Sequence, residues 1–288
     1  MPDPGVAQWR VLMPRGCACM ATLLLVSIAT ADGYPPLEVL KRTDTLVTVG
    51  SERIGLTVAD TGRITALKAG ATEYIPFISL YSSPRSSETA EALRAVQGET
   101  GEARGLGGTP LPMVVDQRGE RLLIHTDVTT ARPEIADGQD LYRLREWVDV
   151  APNGALSVTY IFDWLRLLLI DHPYVAIALA ADAFADAPFV ADYTDAQRSG
   201  TFSAGEAYTR LGALQGAVRT IQCTLPGGLL DIWFDEASNV GSSRWGQYYV
   251  LTPNVPGTTY RGWVYPGTSS TLRFTIKLPT PTNQGGAQ

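Results

Sequence analysis

Histidine is almost missing from this chain of 288 residues: only His125 and His172 occur. Two imidazoles exclude a histidine-rich zinc centre, while oxygen-ligated calcium stays open, and no metal site is expected. Cysteine is nearly as scarce. Cys17 and Cys19 lie near the N-terminus, and Cys223 stands alone within the alternating run 218–225. With the N-terminal pair removed by processing, no intramolecular disulfide and no thiolate cluster can form. Cys223 then reads as a plain, partly buried strand thiol. Lysine is also rare, three residues (Lys41, Lys68, Lys277) against twenty arginines, so most positive charge here can make forked contacts to carboxylates or diols. Basic blocks are absent and the net charge is −6, which argues against nucleic acid or an anionic membrane as the main partner. There is no Gly-x-Gly-x-x-Gly, no Gly-Lys-Ser/Thr phosphate cradle, no Gly-x-Ser-x-Gly and no His-Glu-x-x-His, and no cofactor is implied.

Long apolar runs are absent too. The segment 20–28 (MATLLLVSI) is shorter than the roughly 20 residues needed to span a bilayer. Arg10 and Arg15 precede it and Ala29-Thr30-Ala31 follows, the order of an export signal over 1–31. Cleavage there takes away two arginines and Asp3 and moves the net charge from −6 to −7. The expectation is a secreted or periplasmic chain with no membrane span. Its remaining residues, 32–288, form a single domain long enough to bury a large core. Oligomeric state is left open.

What is present is strand-like. Short runs of Val, Ile, Leu, Thr and Tyr alternate with polar residues and are punctuated by Gly, Pro, Asn and Asp. About fifteen such runs predict an all-β fold, a large antiparallel sandwich of two sheets with at most one or two short helices. The rhythm breaks over 82–108, where 88–97 (ETAEALRAVQ) can form a helix and the rest is Gly-rich; a lid, a binding loop and plain disorder all fit. Residues 279–288 read as a loose tail.

The strongest hairpin signal is 142–164, two alternating segments joined by Pro152-Asn153-Gly154. With a loop of two or four residues, one face carries Arg143, Arg145 and Trp147 with Tyr160 and Phe162. The other then carries Glu146 and Asp163 together. A three-residue loop exchanges the faces of one strand. Two further patterns resemble the galactose mutarotase-like domains. One is Gly55-Leu56-Thr57-Val58-Ala59-Asp60-Thr61-Gly62-Arg63-Ile64, a strand and "TGRI" turn; the other is Arg145-Glu146-Trp147-Val148-Asp149-Val150 followed by Gly154-Ala155-Leu156-Ser157-Val158-Thr159-Tyr160. That resemblance implies the large "supersandwich" and contact with, or chemistry on, carbohydrate. Its members include sugar epimerases, polysaccharide lyases and C-terminal parts of glycoside hydrolases.

Candidate residues follow from chemistry. Trp147 offers a ring for stacking on a sugar, with Arg143 and Arg145 as donors to hydroxyls or carboxylates. Arg244 and Trp245, in the Gly/Ser-rich stretch 241–249, read as a loop rim for the same ligand, or as a tryptophan folded back as a plug. Glu146 and Asp163, if on one face, are a candidate pair for glycoside hydrolysis. His125, Tyr174 and Arg145 are candidates for a lyase that stabilises an enolate-like intermediate. Mutarotases use two histidines and a glutamate, and neither histidine here lies in the expected flanking motif, which argues against that activity. The expected partner is an oligo- or polysaccharide, bound or processed; the alternative is a non-catalytic structural or protein-interaction sandwich.

Overall fold

The computed structural model describes residues 34–85, 109–131, 140–202, 214, 216–257 and 261–279. The export signal expected over 1–31, the helix expected over 88–97 and all but the first residue of the tail expected over 279–288 lie outside them. The strands are β1 (Glu38–Arg42), β2 (Leu46–Gly50), β3 (Ile54–Ala59), β4 (Ile64–Ala69), β5 (Thr72–Arg85), β6 (Thr109–Pro110), β7 (Val114–Arg118), β8 (Arg121–Ala131) and β9 (Asp140–Val150). They continue with β10 (Ala155–Trp164), β11 (Leu168–Ala180), β12 (Pro188–Tyr193), β13 (Gln197–Thr201), β14 (Gly216–Leu225), β15 (Gly228–Trp245), β16 (Tyr248–Pro253), β17 (Arg261–Val264) and β18 (Ser269–Lys277). One helical turn, α1 (Ala181–Phe184), interrupts the run of strands. The chain is an all-β sandwich, as its punctuation predicts.

Every strand pairing described is antiparallel. One layer runs β7–β8–β9–β10–β18–β15–β14–β12–β13. The other runs β1–β2–β3–β4–β5–β11–β16–β15. β15 belongs to both. Asp231–Phe234 pair with β18, and after an irregularity Val240–Trp245 pair with β16. The two layers are therefore stitched along one edge by a single 18-residue strand. Alternation drives the packing: β10 shows one side chain in two fully covered along its whole length. Its inward set is Leu156, Val158, Tyr160, Phe162 and Trp164, and these meet Ile54, Leu56, Val58 and Ile64 from the other layer in one continuous core.

The hairpin turn decides which faces pair. Gly154 N donates to Ala151 O at 3.1 Å, Ala151 N to Ala155 O at 2.9 Å, and Gly154 sits at φ +83°. This is a three-residue loop, a tight turn closed by a left-handed residue, with Asn153 Oδ1 accepting from Ala155 N at 3.1 Å. Even residues on β9 therefore oppose even residues on β10: Tyr142 faces Trp164, Leu144 faces Phe162 and Glu146 faces Tyr160. The even-loop pairing is overturned. Gly154→Ala is expected to lower stability by about 1 kcal/mol, read from a urea midpoint. A new Cβ would be 3.7 Å from Leu278 Cβ, ordinary contact, so that cost is conformational only. An unchanged midpoint would show the loop can adopt another turn.

Candidate functional site

The nine predicted site residues are dispersed over three environments. Glu146 points into the core. It is completely buried, with Thr126 Oγ1 donating to its Oε2 at 3.1 Å, and Oε1 has no hydrogen-bond partner among the described residues. Burial pushes its pKa up to about 8, with the Tyr160 and Thr126 hydroxyls pulling the other way. Tyr160, itself buried and raised well above its usual range by burial and by Glu146, donates to Gly62 O at 3.4 Å. Gly62 completes the nest at φ +79°, where a Cβ would come within 3.3 Å of Glu146 Oε2. The glycine of the "TGRI" turn thus makes room for a buried carboxyl. Asp163 lies on the opposite face of the hairpin, so the predicted catalytic pair does not form.

The outward face of β8, β9 and β10 collects five predicted residues: His125, Arg143, Arg145, Trp147 and Asp163. Their charges are spent on one another. Arg143 grips Asp127 through two contacts, Nε to Oδ1 at 2.8 Å and Nη2 to Oδ2. Arg145 Nη2 stands 2.7 Å from Asp163 Oδ2, and Ser269 Oγ donates to Asp163 Oδ1 at 2.7 Å. His125 stacks on Trp147 at 4.7 Å and 27°, and Arg145 lies over the indole at 5.6 Å. Burial lowers the His125 pKa, Asp127 raising it and the two arginines adding to the depression, so the ring is neutral near pH 7. Both aspartates are thus held in ion pairs with arginines.

Tyr174 and Trp245 lie on the other layer, across the core from His125 and Arg145, so the enolate-stabilising trio is not assembled. The stretch 241–245 is strand, not loop rim. Its glycine and serines pair with β16 because a long antiparallel partner supplies what propensity lacks. Arg244 and Trp245 consequently face opposite ways: Arg244 lies over Tyr249 at 5.4 Å and donates to Gly246 O at 3.0 Å. Trp245 folds over the outer face of its sheet, its indole N donating to Ser243 Oγ at 2.7 Å.

There it joins a cluster separate from the main core. Ala176, Ala178 and Val250 form a fully covered floor, and Phe77, Tyr174, Trp245 and Tyr248 rise around it, all partly exposed. Phe77 and Tyr248 meet edge to face at 5.4 Å, as do Tyr174 and Trp245 at 6.4 Å. Arg63 lies over Phe77 at 5.2 Å, and Gln247 Nε2 donates to Tyr248 Oη at 2.6 Å. Two ring pairs edged by hydroxyl, amide and guanidinium groups are suited to the flat face and hydroxyl rim of a pyranose. Phe77, Tyr248 and the alanine floor escaped the sequence reading. The signal was there: in Tyr174-Val175-Ala176-Ile177-Ala178-Leu179, large residues alternate with small ones, which marks a strand buried on one side and floored for contact on the other.

Among solved structures, the chain is similar to a galactose mutarotase related enzyme from Lactobacillus acidophilus. The TM-score is 0.53 at 9% identity, covering 83% of this chain and 99% of that one. The fold is that of the galactose mutarotase-like supersandwich. A candidate aldose 1-epimerase from Klebsiella pneumoniae subsp. pneumoniae MGH 78578 matches similarly, with a TM-score of 0.51 at 11% identity over 85% of this chain and 83% of that one. No family model and no curated protein matches the sequence. At these identities the supersandwich is shared as architecture, and function rests on the residues. Among the described residues of this supersandwich, no group of three or more His, Cys, Asp or Glu is placed to hold a metal ion. No described helix is long and apolar enough to cross a membrane. Cys223 is buried in β14, its thiol pushed up to about 12, chiefly by desolvation and further by Asp231, and is chemically inert at neutral pH.

Proposed function

We propose that this chain is an exported carbohydrate-binding domain whose sugar site is the aromatic cluster on the outer face of β5, β11, β15 and β16. The observation that carries the reading is the Phe77, Tyr174, Trp245 and Tyr248 frame over the Ala176, Ala178 and Val250 floor, a packed apolar surface outside the main core. Export rests on the order of charged, apolar and small residues over 1–31. The sugar-enzyme names of the two structural neighbours lend further support. Binding, rather than turnover, is the part the side chains favour. Glu146 is sealed in the core, and Asp127 and Asp163 are held by arginines.

Titration calorimetry of the purified chain against mono- and oligosaccharides of galacto-, gluco- and uronic-acid type tests this. Saturable binding to at least one sugar is expected, weakened roughly tenfold or more by Trp245→Ala and by Tyr174→Ala, because each ring supplies on the order of 1 kcal/mol of stacking beyond its area. Binding that survives both substitutions, or no binding across the panel, refutes the assignment.

A further inference from the structure

The first layer ends on a strand that is built to pair again. β7 runs beside β8 from Val114 to Arg118 without a shift, and no described strand borders its other side. Val114, Asp116, Gln117 and Arg118 are all exposed. Lysine, proline and bulges, which commonly block pairing at an edge, are absent from it. β1, at the end of the second layer, is by contrast interrupted by a shift between Val39 and Lys41. The two-residue turn Gly119-Glu120, with Gly119 at φ +60°, sets which backbone groups stay free. Such a turn closes on a hydrogen-bonded pair, here Arg118 and Arg121, so residues 118, 116 and 114 spend their backbone groups on β8. Val115 and Gln117 turn theirs to the open edge.

The side chains of this edge complement a second copy of themselves. With Gln117 opposite Gln117 of an antiparallel copy, the two residues exchange a pair of N–H···O bonds at the two-fold axis. The same register sets Asp116 opposite Arg118 of the copy, twice. These fall in non-hydrogen-bonded positions, the closer kind, with Cα atoms about 4.5 Å apart. Within one chain Arg118 Nε already donates to Asp116 Oδ2 at 2.9 Å. That pair is still 67% and 52% exposed, and its remaining donors and acceptor have no other described bond. Pairing of two copies closes the two ion pairs into a ring of four alternating charges. The other charges at this edge do not oppose it. Arg121 is held by Asp149, and β1 carries Glu38 and Lys41, one of each sign. Glu120 of the copy comes opposite Val114, next to Met113, whose carbonyl accepts from Arg42 Nη2 at 3.0 Å.

We propose that β7 is a dimerisation edge, at which two copies of this chain pair antiparallel about Gln117 and join their first layers into one sheet. An antiparallel pair within a sheet is related by a two-fold axis normal to it, so both second layers lie on the same side. The two aromatic clusters then face one way. Resting on the sugar reading above, this arrangement offers two sites to one polymer and binds it with avidity. The dimer itself does not depend on what the clusters bind.

Sedimentation equilibrium of the purified chain is the test. One short edge is smaller than a standard interface, so dimer is expected at concentrations on the order of 0.1 mM. Asp116→Arg and Arg118→Asp each set like charges opposite one another and should weaken association roughly tenfold or more. Their thermal midpoints should barely move, because an exposed ion pair contributes little to folding. An equimolar mixture of the two variants restores opposite charges at both contacts and should dimerise like the native chain, a result that no intrachain role predicts. Gln117→Pro removes the N–H exchanged at the axis, spares the bonds to β8 and should abolish the dimer. Trp245→Ala should leave it intact, which tells failure of the dimer from failure of the sugar reading. A monomer at concentrations up to about 1 mM overturns the proposal. So does association that survives either charge reversal or a folded Gln117→Pro variant, or a mixture of the two reversals that stays monomeric.

Discussion

Glu146→Gln is expected to flatten the pH dependence of stability, leaving the variant several kcal/mol more stable than the native chain at pH 9. The native carboxyl has its pKa raised from an ordinary 4.5 to about 8. In the unfolded chain it ionises near its ordinary value, whereas in the fold it stays protonated until close to pH 8. A carboxyl shifted upward in the folded state contributes its full stability below the unfolded pKa and loses it as pH rises through the folded one. The window is therefore about 4.5 to 8, and the total loss is on the order of 5 kcal/mol, with about 3 kcal/mol already gone at pH 7. Glutamine cannot ionise, keeps the shape, and retains a carbonyl for the Thr126 hydroxyl. Urea unfolding of both proteins at pH 4.5, 7 and 9 provides the comparison. Parallel stability curves would mean that Glu146 is not buried as described.

The second large effect is expected from Trp164→Ala. This residue closes the hairpin at its far end, 1% exposed, stacked on Phe162 at 5.6 Å and edge-on to Tyr142 at 5.4 Å. Its indole N donates to Ser270 Oγ at 3.1 Å and so ties β10 to β18. Removing it leaves a cavity and an unpaired buried hydroxyl, for a loss of about 4 kcal/mol. Trp164→Phe should recover more than half of that, and Ser270→Ala alone should cost only about 1 kcal/mol. Denaturant midpoints decide the matter. Equal losses in the alanine and phenylalanine variants would place the energy in the hydrogen bond rather than the ring. Because Trp164 anchors the strand that carries Asp163, the alanine variant should also loosen the Arg145–Asp163 pair.

Much of the scaffold is legible in the residues. Alternation over 142–150 and 155–164 is a local property, and it returns as β9 and β10 with the turn where Pro152-Asn153-Gly154 stands. The Gly62 turn is legible as a turn; its role beneath Glu146 depends on an approach between segments more than eighty residues apart. The stretch 241–249 misled because glycine and serine signal loops locally, whereas β16 supplies a pairing partner that no local rule sees. Of the nine candidate residues, five share one face, Asp163 among them although the expected pairing set it with Glu146, and their charges are used up within the sheet. Tyr174 and Trp245 also meet, but in company the spacing did not suggest.

The sequence by itself determined a strand-built, two-layer fold and the central hairpin, because periodicity and composition act over a few residues. Only the tertiary structure decided which way the hairpin faces point. One residue in a loop exchanges a whole strand's inner and outer sets, and that exchange sends Glu146 into the core as a protonated acid while leaving Asp163 outside with Arg145. Tertiary pairing also decided where the rings gather, since Phe77, Tyr174, Trp245 and Tyr248 come from four strands that only the sheet brings side by side.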